Sequence, residues 1–406
     1  MAFLYSLSIR FYGLILHLAA IFNKKAKLWV AGRKDPTWRE FNFTDKNVCW
    51  FHCASLGEFD QGLPLMKKWK EKNPNDFIFV TFFSPSGMQF HHKRNHNADL
   101  VDYIPLDTRS NAKDFIAKVN PKTVIFVKYE FWRNHLHYAK SINANIYSVS
   151  ALFRKSQTYF KPSGSFFRSI LKNFNHVFVQ DQISSDLLTT IEINHTIAGD
   201  LRFDRVNENK KCAEENSILK AFCQDAKVLI AGSTWTEDES VILPIINKKL
   251  NFTKVILAPH EIQESHLKQI ESGLKIPFIR YTNITSETNL DLYNLILLDT
   301  IGHLSNAYQY GHVAYIGGAF KGSLHNILEP AVFGLPVVFG PFFKKFPEGR
   351  TFIDQGFGKS ISNSAEFEKA ISEIQSNRDE IKKKLQNYMT TQIGVADKIM
   401  AKLEGF

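Results

Sequence analysis

The sequence predicts an α/β protein of two doubly wound halves, and three observations carry that expectation. The chain has 406 residues, too many for one ordinary core and about right for two domains. Short β-rich runs alternate with helical patterns through most of it, the signature of a parallel sheet with helices on both faces. The alternation pauses once, around Gly199-Asp200-Leu201-Arg202-Phe203-Asp204, and then resumes. In the first series the strands read Val48 to Cys53, Phe77 to Phe82, Thr123 to Val127, Ile146 to Val149 and His176 to Gln180. Amphipathic stretches such as Gly62 to Lys72 and Ser165 to Lys172 lie between them. A charged helical stretch from Asn207 opens the second series, whose strands read Val228 to Ala231, Val255 to Leu257, Leu295 to Leu298, Val313 to Ile316 and Pro336 to Val338. The stretch from Ala365 to Leu403 reads as helical and is a candidate to pack back on the first half. The division expected is a segment 1–30, a domain 31–204 and a domain 205–406. A central cleft between the C-terminal strand edges is where such folds bind ligands.

Composition narrows the class. Hydrophobic residues at 44% and charged residues at 22% are globular values. A net charge of +10 asks for an anionic partner, whether nucleic acid, a phosphorylated substrate or an acidic lipid surface. The four cysteines show no CxxC pair and fit a reducing compartment. Cys49 and Cys53 would face one side of a strand as small hydrophobes, and His91-His92-Lys93-Arg94-Asn95-His96 reads as a solvated basic loop, so no metal site is assigned. Phe3 to Phe22 is about long enough to cross a bilayer, but Arg10 and His17 interrupt it and Lys24-Lys25-Ala26-Lys27 follows. An interfacial helix with its basic flank on anionic headgroups fits better than a span, and an ordinary buried first helix is the alternative.

Chemistry is expected at small polar turns after strands. In Trp50-Phe51-His52-Cys53-Ala54-Ser55-Leu56-Gly57-Glu58, an apolar run gives way to a turn and a lone carboxylate. Glu58 either caps a helix or lies in a ligand crevice at a strand's carboxyl edge. No P-loop and no dinucleotide fingerprint occur. In Gly232-Ser233-Thr234-Trp235-Thr236-Glu237, Thr234 and Glu237 form a capping-box pattern, and the same amides suit a phosphate. Further on, Gly317-Gly318 closes a strand, and His325, Asn326 and Glu329 are spaced to share one face of a first helical turn. A carboxylate there can accept both hydroxyls of a ribose. Together with Gly334-Leu335-Pro336-Val337-Val338-Phe339-Gly340-Pro341, this is what a nucleotide-sugar site needs.

At these residues the chain resembles the 3-deoxy-D-manno-octulosonic acid (Kdo) transferases of lipopolysaccharide synthesis. His52-x-x-Ser55-x-Gly57-Glu58 is similar to the family's H-x-x-S-x-G-E, Glu130-Phe131-Trp132-Arg133-Asn134 to E-L-W-P-N, and Gly199-Asp200-Leu201-Arg202-Phe203-Asp204 to G-N-L-K-F-D. Gly232-Ser233-Thr234, Ala258-Pro259-His260, Asp299-Thr300-Ile301-Gly302-His303-Leu304 and His325-Asn326-x-Leu328-Glu329-Pro330 are further anchors. The resemblance implies a GT-B fold of two Rossmann-like domains, with the acceptor in the first and CMP-Kdo in the second. It implies transfer to a lipid A precursor (lipid IVA) at the cytoplasmic face of the inner membrane, without a metal or other cofactor. Glu58 becomes the general base, with Ser55 and Gly57 on the acceptor side. Gly232, Ser233, Thr234, Pro259, His260, Ile301, Gly302, His303 and the run His325, Asn326, Ile327, Leu328, Glu329 become donor contacts. The chain departs from the family at His303 for Glu, Arg202 for Lys, Asp200 for Asn and His260-Glu261 for Arg-His.

The expected reaction is an inverting displacement. Glu58 takes the proton of a sugar hydroxyl as it attacks the anomeric carbon. The phosphate of the leaving CMP meets amides near Gly232-Ser233-Thr234 and the helix opening at Asn326, with Arg202 adding positive charge. Glu130 orients the acceptor or supports charge, unless it only caps a helix. The rivals are a transferase of the same architecture using a UDP-sugar and a non-catalytic module binding anionic lipid. Nucleic acid is not expected, since no aromatic and basic platform occurs.

Overall fold

The computed structural model describes residues 1–128, 130–248 and 252–405. It divides into two compact units, Met1–Arg205 joined by the chain from Gly394 onward, and Val206–Ile393.

The first unit holds β1 (Val48–Cys53), β2 (Phe77–Phe82), β3 (Leu100–Tyr103), β4 (Thr123–Val127), β5 (Asn145–Ala151), β6 (His176–Val179) and β7 (His195–Ile197). They form one sheet in the order β3-β2-β1-β4-β5-β6-β7, and every pairing is parallel. The sequence chooses this arrangement because β1 is apolar on both faces and buried along its whole length, as a strand between two helical layers must be. Val48 and Trp50 point into one layer, Cys49, Phe51 and Cys53 into the other. The thiols are therefore core groups, pushed up by burial.

The second unit repeats the plan with β8 (Val228–Thr234), β9 (Lys254–Pro259), β10 (Phe278–Arg280), β11 (Leu295–Leu297), β12 (Val313–Ile316), β13 (Val337–Phe339) and β14 (Gly358–Ser360). Its order is β10-β11-β9-β8-β12-β13-β14, again wholly parallel. In each sheet the winding reverses once, between β1 and β4 and between β8 and β12. Those two positions are where doubly wound sheets open a crevice beyond the strands' carboxyl ends.

The structure revises several elements. The short edge strands β3, β7, β10 and β14 were not expected, the helix after β1 begins at Leu56, just ahead of Glu58 and before the amphipathic stretch read from Gly62, and the linker helix begins at Leu201 rather than Asn207. The stretch read as one helical region from Ala365 is three helices, Ser364–Ser376, Arg378–Gln392 and Val395–Leu403. The last of these belongs to the first unit: Val395, Ala396, Ile399 and Met400 complete the core layer beneath the Leu56–Lys72 helix. Asp204 anchors its start, accepting the Gly394 and Ala396 amides at 2.6 and 2.7 Å.

The first helix, Ala2–Ala19, is not an ordinary buried element. Ile9 is its one buried large side chain, while Phe3, Leu4, Leu7, Phe11, Leu14 and Leu18 are exposed, Phe3 at 78%. Among the described residues no helix is long and apolar enough to cross a membrane.

Candidate functional site

Each unit carries a constellation at its winding reversal. In the first, Ser55 precedes the Leu56–Lys72 helix and Glu58 sits in its opening turn. Ser55 does not cap that helix with its side chain; its hydroxyl donates instead to Glu58 Oε2. Lys128, the residue after β4, brings its Nζ to 3.8 Å from Glu58 Oε1. Its φ of +68° is a left-handed conformation that a non-glycine residue adopts at a cost. Lys128 was missed from sequence, although a lone cation ending the apolar run Thr123–Val127 marks it. Nothing but Ser55 Oγ, at 3.8 Å, lies near a Cβ built on Gly57, so that glycine is not sterically required.

Glu130 lies two residues beyond Lys128. Burial, and secondarily the charge of Glu58, push its carboxyl up to about 7. One carboxylate oxygen, Oε2, is buried without a hydrogen-bond partner among the described residues, although 40% of the side chain is exposed. Its 4.0 Å approach to His52 Nε2 is not an ion pair. Trp132 Nε1 donates to that nitrogen at 3.1 Å, so Nε2 is unprotonated, and burial drives the imidazole down to about 3. The proton therefore sits on Nδ1, which donates to Thr81 Oγ1 at 3.0 Å. His52 is a strut that fixes the Trp132 turn and through it the segment carrying Glu130.

Arg202, expected to add positive charge, is paired inside the first unit. Its guanidinium binds Asp200 at 2.7 and 2.8 Å, and Gln61 donates to the same carboxylate at 2.6 Å. Burial alone would raise Asp200, but Arg202 reverses that and holds it below the usual carboxylate range. The departures at 200 and 202 are thus a matched pair: a carboxylate and a fork-shaped cation that neutralise each other.

In the second unit Gly232, Ser233 and Thr234 finish β8, where the pairing with β9 is irregular and Ser233 takes a φ of +54°. The capping box expected for Thr234 and Glu237 is not formed. The helix starts at Thr236, and Asp238 accepts the Trp235 amide at 3.0 Å. Thr234 donates to Glu239 at 2.8 Å, and Glu237 pairs with Lys321 at 3.2 Å. Asp238 also accepts the Gly318 amide at 2.9 Å and the Tyr315 hydroxyl at 2.7 Å. One buried carboxylate therefore ties the turn after β8 to the turn after β12. Contact between the turns is intimate: a Cβ on Gly317 would lie 2.2 Å from Ser233 O, which only glycine avoids. Because Gly317 N donates to Gly232 O and Gly318 N to Asp238, those two amides hold the turns together and are not available to a phosphate.

His325, Asn326 and Glu329 do not share a helical face, since the helix begins only at Leu328. Asn326 Nδ2 donates to Glu329 Oε1 at 3.1 Å, and its Oδ1 accepts the Leu328 amide. Ile327 and Leu328 bury their side chains completely, which leaves only their backbone for a ligand. His325 takes another direction. Trp235, His260 and His325 form a stack, with ring centroids 4.5 Å apart for the first pair and 4.4 Å for the second, and Pro259 is buried beside it. Trp235 Nε1 donates to His325 Nε2 at 3.1 Å. Burial, and then the neighbouring His260, press His325 down to about 4, and burial also lowers His260. Ile301 is 80% exposed, Gly302 has a φ of +105°, and His303 packs on Tyr281 at 4.6 Å. Among the described residues no group of three or more His, Cys, Asp or Glu is arranged to hold a metal ion.

The two sheets and their reversals define a two-domain α/β protein of the GT-B type. Solved structures of UDP-GlcNAc 2-epimerases share the fold. That of Neisseria meningitidis, bound to UDP-GlcNAc, aligns at a TM-score of 0.61 over 87% of this chain and 98% of that one, with 14% identity. That of Rickettsia bellii aligns at 0.57 over 89% and 97%, with 12% identity. Sequence is more specific. Residues 31–205 match the family model described as 3-deoxy-D-manno-octulosonic-acid transferase (kdotransferase). The chain is 28% identical to the 3-deoxy-D-manno-octulosonic acid transferase of Aquifex aeolicus over 83% of its length and 88% of that protein's. It is 26% identical to that of Haemophilus influenzae over 81% and 79%. It also matches a bifunctional glycosyltransferase/methyltransferase of Fusobacterium nucleatum at 23% identity, over 88% of this chain but only 57% of that protein. Residues 31–205 thus match the kdotransferase model, and the chain resembles the Kdo transferases over most of its length.

Proposed function

We propose that the chain is an inverting glycosyltransferase that moves Kdo from CMP-Kdo to a lipid A precursor. The observation that carries this reading is the pair of carboxylates at the reversal of the first sheet, Glu58 after β1 and Glu130 after β4. Glu58, gripped by Ser55 and faced by Lys128, acts as general base on the attacking hydroxyl. Glu130, raised to about 7, is partly protonated at neutral pH and donates a hydrogen bond that orients the acceptor. Two carboxyl groups held in different environments can thus divide the work of accepting and donating. Asn326 and Glu329 take the ribose of the donor, while His260 and His303 adjust its base contacts. The exposed row Phe3, Leu7, Phe11, Leu14 and Leu18, followed by Lys24, Lys25 and Lys27, rests on the acidic inner-membrane surface where the acceptor lies.

The test is transfer of radiolabelled Kdo from freshly made CMP-Kdo to a tetra-acylated lipid A precursor by the purified protein in EDTA. Labelled product supports donor, acceptor class and metal independence together. No product from folded protein, with turnover of a UDP-sugar instead, would move the reading to the rival donor.

A further inference from the structure

The Trp235–His325 hydrogen bond has a chemical consequence beyond packing. An indole N–H can only donate, so His325 Nε2 must offer its lone pair and the imidazole proton must reside on Nδ1. Nδ1 makes no hydrogen bond among the described residues. The ring is held on several sides. It stacks on His260, and its Cδ2 and Nε2 lie 2.8 and 3.1 Å from where a Cβ on Gly318 would stand. Lys321 Nζ lies 4.2 Å over the Trp235 ring. A rigid, neutral imidazole with its one N–H unspent, stacked on His260 and held against a glycine turn, is built to donate to an anion.

We propose that Trp235 is a positioning residue: its indole locks His325 in the Nδ1–H tautomer, so that Nδ1–H donates a hydrogen bond to a phosphate oxygen of the donor nucleotide. The inference rests on the proposed CMP-Kdo reading and assigns within it a role to a residue outside the recognised motifs. The proton stays on Nδ1 throughout, and no proton transfer is involved. The same device operates in the first unit, where Trp132 fixes His52, but there Nδ1–H is consumed by Thr81. Only the second unit leaves the fixed donor for a ligand.

The test is ¹⁵N NMR of histidine-labelled protein, with the His325 signals assigned by difference against His325→Gln, recorded with and without CMP. Trp235→Phe and Trp235→His are compared with wild type, and CMP and UMP affinities are measured in parallel. Wild type should show a single Nδ1–H tautomer whose Nδ1 signal moves when CMP binds. Trp235→Phe, which keeps an aromatic ring and loses the donor, should show mixed tautomers and bind both nucleotides about fivefold more weakly, since only a fraction of the rings then carries the competent Nδ1–H. Trp235→His, able to present an N–H, should recover part of that loss. An unchanged tautomer in Trp235→Phe, or a changed tautomer with unchanged affinity, overturns the inference. If Trp235→Phe does not fold, wild type decides alone: bound CMP with an unmoved Nδ1 signal overturns the inference and leaves the CMP-Kdo reading standing. Failure of wild type to bind CMP at all would instead overturn that reading, and the assignment of the phosphate with it.

Discussion

The two units solve the same problem differently. Each has seven parallel strands, one reversal of winding and a tryptophan donating to a histidine at that reversal. In the first, the histidine is fully committed, with both ring nitrogens bonded inside the protein, and the group left over among the described residues is the Glu130 carboxyl, whose Oε2 has no hydrogen-bond partner. In the second, the carboxylates Asp238 and Glu239 are committed, buried and bonded to Gly318, Tyr315, Thr234 and His266, and the group left over is the Nδ1 side of His325. The first unit keeps a raised carboxyl unspent at its reversal, whereas the second buries Asp238 and Glu239 there and keeps an imidazole N–H unspent. A shared scaffold therefore constrains where chemistry sits, and the choice of which polar groups to satisfy internally decides what chemistry it is.

That contrast can be broken or sharpened by experiment, beginning where the effect should be largest. Glu58→Gln should lower kcat by ~10²–10⁴-fold, as loss of a general base does, with the melting curve unchanged. Turnover near wild type would remove the acid chemistry from the first unit. His52→Ala should cost about 3 kcal/mol in urea unfolding, since it opens a cavity and strands the Trp132 N–H, and it should shift Glu130's titration as the turn relaxes. A neutral result would show that the first histidine is not a strut. Gly317→Ala should cost about 2 kcal/mol and weaken CMP binding, because its methyl would strike the Ser233 carbonyl 2.2 Å away. A double-mutant cycle over Asp200→Asn and Arg202→Lys should give a coupling of about 1–2 kcal/mol, since the two side chains share one neutralised site. Additive single effects would mean that the departures arose independently.

The smallest effect tests the raised carboxyl. Folding favours the neutral form of Glu130, so its contribution is fully present below its ordinary value of 4.5 and is lost as pH rises through about 7. Glu130→Gln should therefore gain on wild type across that window, by no more than about 1 kcal/mol, because the side chain is 40% exposed and solvent screens it. His52 has the opposite sign: its neutral form is favoured, so its contribution is present above 6.5 and lost as pH falls toward about 3. Wild type should lose stability on both sides of a weakly acidic optimum, measurable as urea midpoints against pH.

Much of this was legible in the sequence, for a physical reason. Strands β1, β2, β4 and β12 have the ends expected of them, since a strand buried on both faces must be a continuous apolar run. The edge strands β3, β7, β10 and β14, of three or four residues each, carry polar side chains such as Asp102, His195, Arg280 and Lys359 and leave no such run. The small-residue turns at the two reversals were also readable. What could not be read was partner choice. That Asp238 rather than Glu237 binds the Trp235 amide depends on which carboxylate also reaches Gly318, eighty positions on. That Arg202 is spent on Asp200 depends on Gln61, 139 residues away, helping to bury the pair.

The helix Val395–Leu403 has a consequence for biosynthesis. It closes the core layer beneath the helix that carries Glu58, yet it is translated only after the roughly 190 residues of the second unit. At ribosomal speeds of about 5–20 residues per second, the nascent first unit waits on the order of 10–40 s with that apolar face uncovered. The second unit can fold in the meantime, so the later-made half is finished first, and the acid-bearing half stays open to chaperones and proteases until the chain returns to it.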